Sequence, residues 1–312
     1  MVWILKGVIH LSDKKKLESG KPSKTAEFMA LFRALESTYP RERRLFEDPL
    51  AVRFLSPALK TVVYASKAAP AQKFVVWLLD SFFSGARASG ITRTRLIDDY
   101  LIRGTQDGSK QVVILGSGYD SRAYRIAALK NQKVFEVDHP STSKMKKEKI
   151  QKASGVDHWH VSYVEIEFNS QSLEQTLNAA GFNGDAPAFF IWEGVTNYLT
   201  EAAVRQTLTY IGSLAKGTML AFTYVHRDAI DIPKATVKKG VSKLLKKQGE
   251  PWTYGIRPEE LPGLLRECGL NLLEDIASID YRKRYMYSEG RHLDGYEFYR
   301  VALAAVGKDR AQ

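Results

Sequence analysis

At 312 residues the chain has room for two small domains or one large α/β domain, and for a core that needs neither disulfides nor metals. Its 44% apolar and 26% charged residues are those of a soluble globular protein, and one cysteine, Cys268, excludes an internal disulfide or a cysteine-cluster metal site. The 46 Lys and Arg against 35 Asp and Glu leave a net charge of +11, which favours acidic partners, anionic substrates or anionic surfaces and says nothing about the fold.

The opening stretch, Met1 to Leu11, is apolar except for Lys6 and His10. It is too short to span a bilayer and is followed by no small-residue cleavage site. Phe28, Leu31, Phe32 and Leu35 then fall on one face of a helix entered after Ser23. In Leu45–Leu55, Pro49 can open a helix with Asp48 as its cap. Phe74–Phe83 (FVVWLLDSFF) is short and interrupted by Asp80, which predicts a buried helix rather than a membrane span. Ile91–Ile102 predicts a further helix, stopped by Gly104. The chain reads as soluble and cytoplasmic, with no internal repeat and no Ser/Gly/Pro-rich linker.

From Gln111 the rhythm changes to alternating strands and helices, the pattern of a parallel sheet covered on both faces. Strands are expected at Gln111–Leu115, Lys133–Val137, Trp159–Val164, Ala188–Trp192 and Thr218–Tyr224. Helices are expected at Tyr119–Leu129, Thr142–Ala153, Leu173–Ala180 and Glu201–Leu214. Asn271–Ile279 and Tyr296–Val306 show no obvious helix between them and suggest an antiparallel hairpin at the sheet's edge. A long insertion, Asp228–Pro258, stands where a doubly wound sheet needs only a short crossover.

The first strand runs into VVILGSGYDSR (Val112–Arg122). Gly116 and Gly118 sit where the chain turns sharply from strand to helix, so a ligand can approach the backbone and the free N–H groups of a helix start. Asp138 ends the next strand, where an acid can accept hydrogen bonds from both hydroxyls of a ribose. A dinucleotide site would want a third glycine where Ser121 stands, and Asp120 and Arg122 suit a pyrophosphate poorly. The residues therefore favour a nucleoside ligand without a pyrophosphate over a nicotinamide or flavin dinucleotide. A purely structural turn, with Asp138 capping the helix near Pro140, is the competing reading.

Lys24–Ser37 (KTAEFMALFRALES), Leu45–Leu55 (LFEDPLAVRFL), Arg93–Leu101 (RTRLIDDYL), the VVILGSGYDSRAYRI loop, VFEVDHP, FIWEGVTNYLTEAAV and GEPWTYGI together resemble the leucine carboxyl methyltransferase family, in particular its bacterial branch. The resemblance runs from about residue 24 to the C-terminus. It implies a class I methyltransferase fold: an α/β, Rossmann-like, doubly wound seven-stranded sheet with its last strand antiparallel, and S-adenosyl-L-methionine as methyl donor. On that basis residues 1–23 form an extension, 24–104 a helical segment covering the cofactor, and 105–312 the core with a lid insertion at 228–258. Carried over by position, Gly116 and Gly118 would line the methionine end of the cofactor and Asp138 would hold the ribose. Glu167 and Phe168 would meet the adenine, with Glu167 standing where the family has Asp. Glu193 would lie beside the cofactor's charged centre, and Lys24 and Arg93, or Arg95 two residues on, would hold its carboxylate. A structural ion pair for Glu193 and a solvated helix face for Arg93 are the competing readings.

A carboxylate acceptor, as the resemblance implies, is ionised at pH 7 and needs no general base. The enzyme's task would be alignment and exclusion of water. Tyr198 and Tyr224 are the expected positioning groups, with buried wall hydroxyls as the alternative, and Arg43, Arg44 or the lysines of 234–247 could orient an anionic acceptor. That segment carries six lysines and no acid on an amphipathic pattern, which fits a solvated lid face or contact with an anionic lipid or membrane surface. His158 and His160 are too few for a closed metal site, and no metal is expected. The expected activity is O-methylation of an anionic small molecule or natural product. Protein- or tRNA-directed carboxyl methylation and a non-catalytic nucleoside-binding protein are the alternatives. The Lys runs lack interleaved aromatics, so nucleic acid is disfavoured, and a monomer is favoured.

Overall fold

The computed structural model describes residues 24–82, 85–155, 158–167, 171–231, 252–286 and 298–307. Among these residues four helices come first: α1 (Lys24–Glu36), α2 (Pro57–Ala65), α3 (Ala69–Phe82) and α4 (Ala86–Gln106). The alternating region follows as β1 (Gln111–Leu115), α5 (Arg122–Arg125), β2 (Lys133–Asp138), α6 (Pro140–Ser154), β3 (Val161–Glu165), α7 (Leu173–Ala179), β4 (Ala188–Trp192), α8 (Glu201–Gly212) and β5 (Met219–Val225). It closes with α9 (Asp228–Asp231), α10 (Leu261–Glu267), β6 (Leu270–Ala277), α11 (Ser278–Met286) and β7 (Tyr299–Val306). Most of the expected insertion, including the lysine-rich stretch 234–247, lies outside the described residues.

The strands form one seven-stranded sheet in the order β3-β2-β1-β4-β5-β7-β6. β1 to β5 are parallel, and β7 runs antiparallel to both β5 and β6. The β1, β4 and β5 sequences, QVVIL, AFFIW and MLAFTYV, are buried at every position. Continuous apolar runs of this kind belong to strands covered on both faces. One face packs Val113, Phe190 and Trp192 against Leu208 and Ile211 of α8. The other packs Val112, Ile114, Phe189 and Ile191 against Leu96, Ile97 and Leu101 of α4.

Several expected elements differ from those observed, each for a physical reason. Gly104 does not stop its helix: α4 continues to Gln106, and a Cβ on Gly104 would lie 2.3 Å from the Phe189 ring. The glycine is there to let helix and sheet approach closely. The two late strands do pair antiparallel, but α11 stands between them and buries Tyr281, Arg282 and Met286. The helix expected over Tyr119–Leu129 shrinks to α5 and a single 3₁₀ turn, because the loop before it is drawn into ion pairs described below. Leu45–Leu55 yields only a 3₁₀ turn at Ala51–Phe54. Asp48 nonetheless caps it, Oδ1 accepting from the N–H of Leu50 and Ala51 at 3.2 and 3.0 Å. α3 is a helix as expected and buries Val75, Leu78 and Leu79, but Phe74 and Trp77 point outward, at 40% and 63% exposure.

Candidate functional site

The strand order reverses at β1, which has β2 on one side and β4 on the other. In open α/β sheets the crevice beyond the carboxyl ends at such a point is where ligands bind. The turn leaving β1 holds Gly116 at φ +63° and Gly118 at φ +43°, a region that side-chain-bearing residues rarely enter. A Cβ on Gly116 would also stand 2.4 Å from Cγ2 of Val195, in the loop after β4. The glycines thus let the β1 and β4 loops close on each other.

Asp138, at the end of β2, ties the glycine turn to its neighbour. Its Oδ2 accepts from the Gly118 N–H at 2.5 Å and its Oδ1 from the His139 N–H at 2.7 Å. Burial pushes its carboxyl above the ordinary range against the pull of those two hydrogen bonds. It is not the cap of α6: His139 holds that position, its ring nitrogen accepting from Ser141 N–H at 3.3 Å. Beneath the turn, Lys146 of α6 and Glu136 of β2 form a fully buried pair at 2.9 Å, and Lys146 Nζ reaches the Ser117 carbonyl at 3.5 Å.

Glu193, just past β4, sits between two guanidinium groups. Arg93 Nε donates to its Oε1 at 2.8 Å, and Arg122 donates through one terminal nitrogen to its Oε2 at 2.8 Å. Arg122 also bonds Asp98 at 2.7 Å through Nε and pairs with Asp120. Arg125 clasps both oxygens of Asp98, at 2.7 and 2.9 Å. Arg33 of α1 bonds Asp48 at 2.9 Å and the Tyr119 carbonyl at 2.5 Å, while Ser121 Oγ donates to Asp48 at 2.5 Å. Four arginines and four carboxylates therefore make one buried, charge-balanced network that straps α1, α4 and the glycine turn onto the ends of β1 and β4. Burial opposes ionisation of Glu193, but Arg122 and Arg93 outweigh it and hold the carboxyl below its ordinary range. Asp120 is likewise opposed by burial and held down, to about 2, by Arg122, Lys146 and Arg33.

Of the expected site residues, Gly116, Gly118, Asp138, Glu193 and Arg93 converge on this crevice. Arg95 does not: it bonds Asp99 at 2.9 Å and the Leu45 carbonyl at 2.6 Å, which separates the two arginines. Glu167 follows β3 and is exposed, its N–H donating to Gln171 at 2.7 Å. Lys24 opens α1, but its side chain, like Phe168, lies outside the description. Tyr198 ends a 3₁₀ turn, Thr196–Tyr198, just after Glu193, and is half-buried. Tyr224 is corrected: it is 1% exposed in the core, its hydroxyl committed to Asp275 at 2.9 Å, so it is a wall residue. Arg44 pairs with Glu47 at the surface.

The sequence reading missed Asp98, Arg33 and Arg125, and took Asp120 and Arg122 only as obstacles to a pyrophosphate. Charged residues inside RTRLIDDYL, on an otherwise buried helix, were the available signal. It also missed Asn197, fully buried with neither amide atom hydrogen-bonded. A separate cavity of about 380 Å³ between α7 and α8, lined by Ile166, Leu173, Leu199 and Tyr210 among others, contains none of the expected site residues. No group of three or more metal-ligating side chains occurs among the described residues.

Residues 26–212 match the leucine carboxyl methyltransferase family. The chain belongs to that family. A proposed S-adenosyl-L-methionine-dependent methyltransferase of Streptomyces coelicolor is 33% identical over 216 residues, 66% of this chain and 70% of that protein. One from Bacillus subtilis is 28% identical over 194 residues, 61% of this chain and 63% of its own. Among solved structures, a proposed methyltransferase of Thermobifida fusca superimposes with a TM-score of 0.54 at 14% identity, covering 99% of this chain and 100% of the other. A Streptomyces avermitilis protein of the DUF574 family gives a TM-score of 0.51 at 13% identity, covering 88% and 96%. The fold is that of the class I methyltransferases, and the family is one of S-adenosylmethionine-dependent methyl transfer.

Proposed function

We propose that this chain methylates a carboxylate oxygen of an anionic small molecule or natural product. What carries the reading is how the crevice acids are paired. Glu193 accepts from Arg93 and Arg122 at 2.8 Å each and Asp120 pairs with Arg122. This holds both below the ordinary carboxylate range and makes them poor proton acceptors at neutral pH. Asp138, which burial pushes upward, is committed to the Gly118 and His139 N–H groups. A site furnished in this way suits an acceptor that is already an anion and needs no base.

The crevice residues fit S-adenosylmethionine. The glycine turn has no side chain to block the backbone, Asp138 can offer oxygens to ribose hydroxyls, and the Arg93–Glu193 pair presents opposite charges to a zwitterionic amino-acid end. Glu167 and Phe168 would meet the adenine, and Lys24 would join Arg93 at the cofactor carboxylate. When bound, the cofactor supplies a methyl on a sulfonium: an acceptor oxygen–carbon bond forms as the carbon–sulfur bond breaks, leaving a methyl ester and a neutral thioether. Arg93 and Glu193 fix the donor's amino-acid end. The half-buried Tyr198 and the buried amide of Asn197, in the loop that follows Glu193, are the groups proposed to orient the acceptor. The α1–α4 segment, strapped down by Arg33 and Arg93, excludes water.

The test is transfer from methyl-labelled S-adenosylmethionine to a panel of carboxylic acids and their alcohol analogues. Carboxyl methylation gives a product whose label is released as methanol by mild alkali. A base-stable product would make the acceptor a hydroxyl or amine and overturn the carboxylate reading.

A further inference from the structure

Between Pro49 and Leu79 the sequence contains four basic residues, Arg53, Lys60, Lys67 and Lys73, and no carboxylate. This stretch forms α2 and most of α3, whose inner faces bury Leu59, Val62, Val63, Val75, Leu78 and Leu79. Their outer face is aromatic. Tyr64 is 50% exposed, Phe74 40% and Trp77 63%. Phe74 and Trp77 are three apart on α3 and lie with ring centroids 6.0 Å apart, and Lys67 Nζ stands 5.5 Å over the Tyr64 ring. Lys67 and Lys73 are both exposed.

We infer that this face docks on the surface of an anionic lipid bilayer. Large aromatic rings at the water boundary cost free energy in solution, and a contiguous exposed group of them marks a contact surface. Trp, Tyr and Phe interleaved with Lys match the headgroup layer, where rings enter the acyl boundary and ammonium groups meet phosphates and serine carboxylates; the acid of α3, Asp80, is tied to Arg87 at 2.7 and 3.0 Å. Charge also argues against a second copy of this chain. A two-fold contact sets the same patch against itself, and here that would bring lysines together while the acid of α3, Asp80, is already paired with Arg87. The net charge of +11 acts in the same direction by drawing the whole molecule to an anionic surface. The helices that carry this face also pack against the crevice, Phe54, buried just before α2, stacking on Tyr119 of the glycine turn at 4.9 Å. The inference does not depend on the acceptor proposed above.

The experiment is flotation of the full chain with vesicles of phosphatidylcholine alone and with about a quarter phosphatidylserine, at low and high salt. Binding is expected to the anionic vesicles only, and to weaken with salt. The Phe74→Ser/Trp77→Ser variant is expected to bind roughly ten- to a hundred-fold more weakly. Lys67→Glu/Lys73→Glu is expected to lose roughly five-fold or more per lysine. Circular dichroism and thermal melts unchanged from the parent show that neither variant acts by unfolding. Three results would overturn the inference. They are no binding of the parent chain, binding undiminished in the aromatic variant (which would assign it to the 1–11 or 234–247 segments), and a concentration-dependent dimer that the aromatic variant abolishes.

Discussion

Glu193→Gln is the substitution that most directly tests how the crevice is built. Gln keeps the size and one acceptor oxygen, but removes the charge that Arg93 and Arg122 share at 2.8 Å each. Arg122 keeps Asp98 and Asp120, whereas Arg93 loses its carboxylate and faces an amide that must turn an N–H toward one guanidinium or the other. The balanced network becomes one charge positive. Removing one partner from a buried pair costs about 3–5 kcal/mol, and the two carboxylates left to Arg122 place this case near 3 kcal/mol. For a chain of this size that lowers the melting temperature by about 5 °C. Binding provides the second readout. S-adenosylmethionine and S-adenosylhomocysteine share the zwitterionic end and differ by the sulfonium. In the proposed reading the Arg93–Glu193 pair meets the amino-acid end, with Glu193 beside the ammonium. Loss of one charge-assisted hydrogen bond, about 1.5–3 kcal/mol, should weaken both ligands by roughly ten- to a hundred-fold. Calorimetric titration at a temperature where the variant remains folded measures both. Unchanged affinity would reduce Glu193 to a structural ion pair. A loss confined to S-adenosylmethionine would put Glu193 against the sulfonium and refute the pairing argument.

Two further outcomes follow from the same geometry. Asp138→Ala removes the acceptor for the Gly118 and His139 N–H groups as well as the proposed ribose contact, so S-adenosylmethionine binding should fall by at least about ten-fold. Titration showing parent-like affinity would take Asp138 out of the site. Glu193 and Asp120 ionise more readily folded than unfolded, so each contributes stability above the ordinary carboxylate range that is lost as pH falls through its folded value. For Asp120, moving from 3.8 to about 2, the contribution is on the order of 2 kcal/mol. Asp138, shifted upward, acts oppositely and offsets part of it. Urea midpoints should therefore drop on acidification from about pH 5 toward pH 3, and less steeply in Glu193→Gln. Identical pH profiles for parent and variant would contradict the assignment.

The parts legible in sequence were those decided by local pattern. QVVIL and AFFIW could hardly be anything but doubly covered strands. GSG followed by Asp138 at the next strand end needs only the turn geometry of two glycines to make a crevice. What stayed hidden was decided by partners far along the chain. Gly104 looks like a helix stop until Phe189, on a strand far ahead, is seen pressed against it. SIDYRKRYM has too many charges for an apolar stripe, yet Tyr281 and Arg282 are buried because α4 covers them, Ser278 meeting Ser89 at 2.8 Å. The arginine–carboxylate network is the extreme case. Arg33, Asp98 and Arg125 carry no signal of their own in the sequence, Asp48 reads as a helix cap, Arg122 as an obstacle to a pyrophosphate and Glu193 as a cofactor contact or an ion pair, and only the fold reveals that they neutralise one another. That explains how a loop reading GSGYDSR can serve a nucleoside ligand. Asp120 and Arg122 do not face the ligand as unpaired charges, because they answer each other and the strand ends behind them. The crevice is left with a bare backbone, the Asp138 carboxylate at the end of β2 and one arginine–glutamate pair.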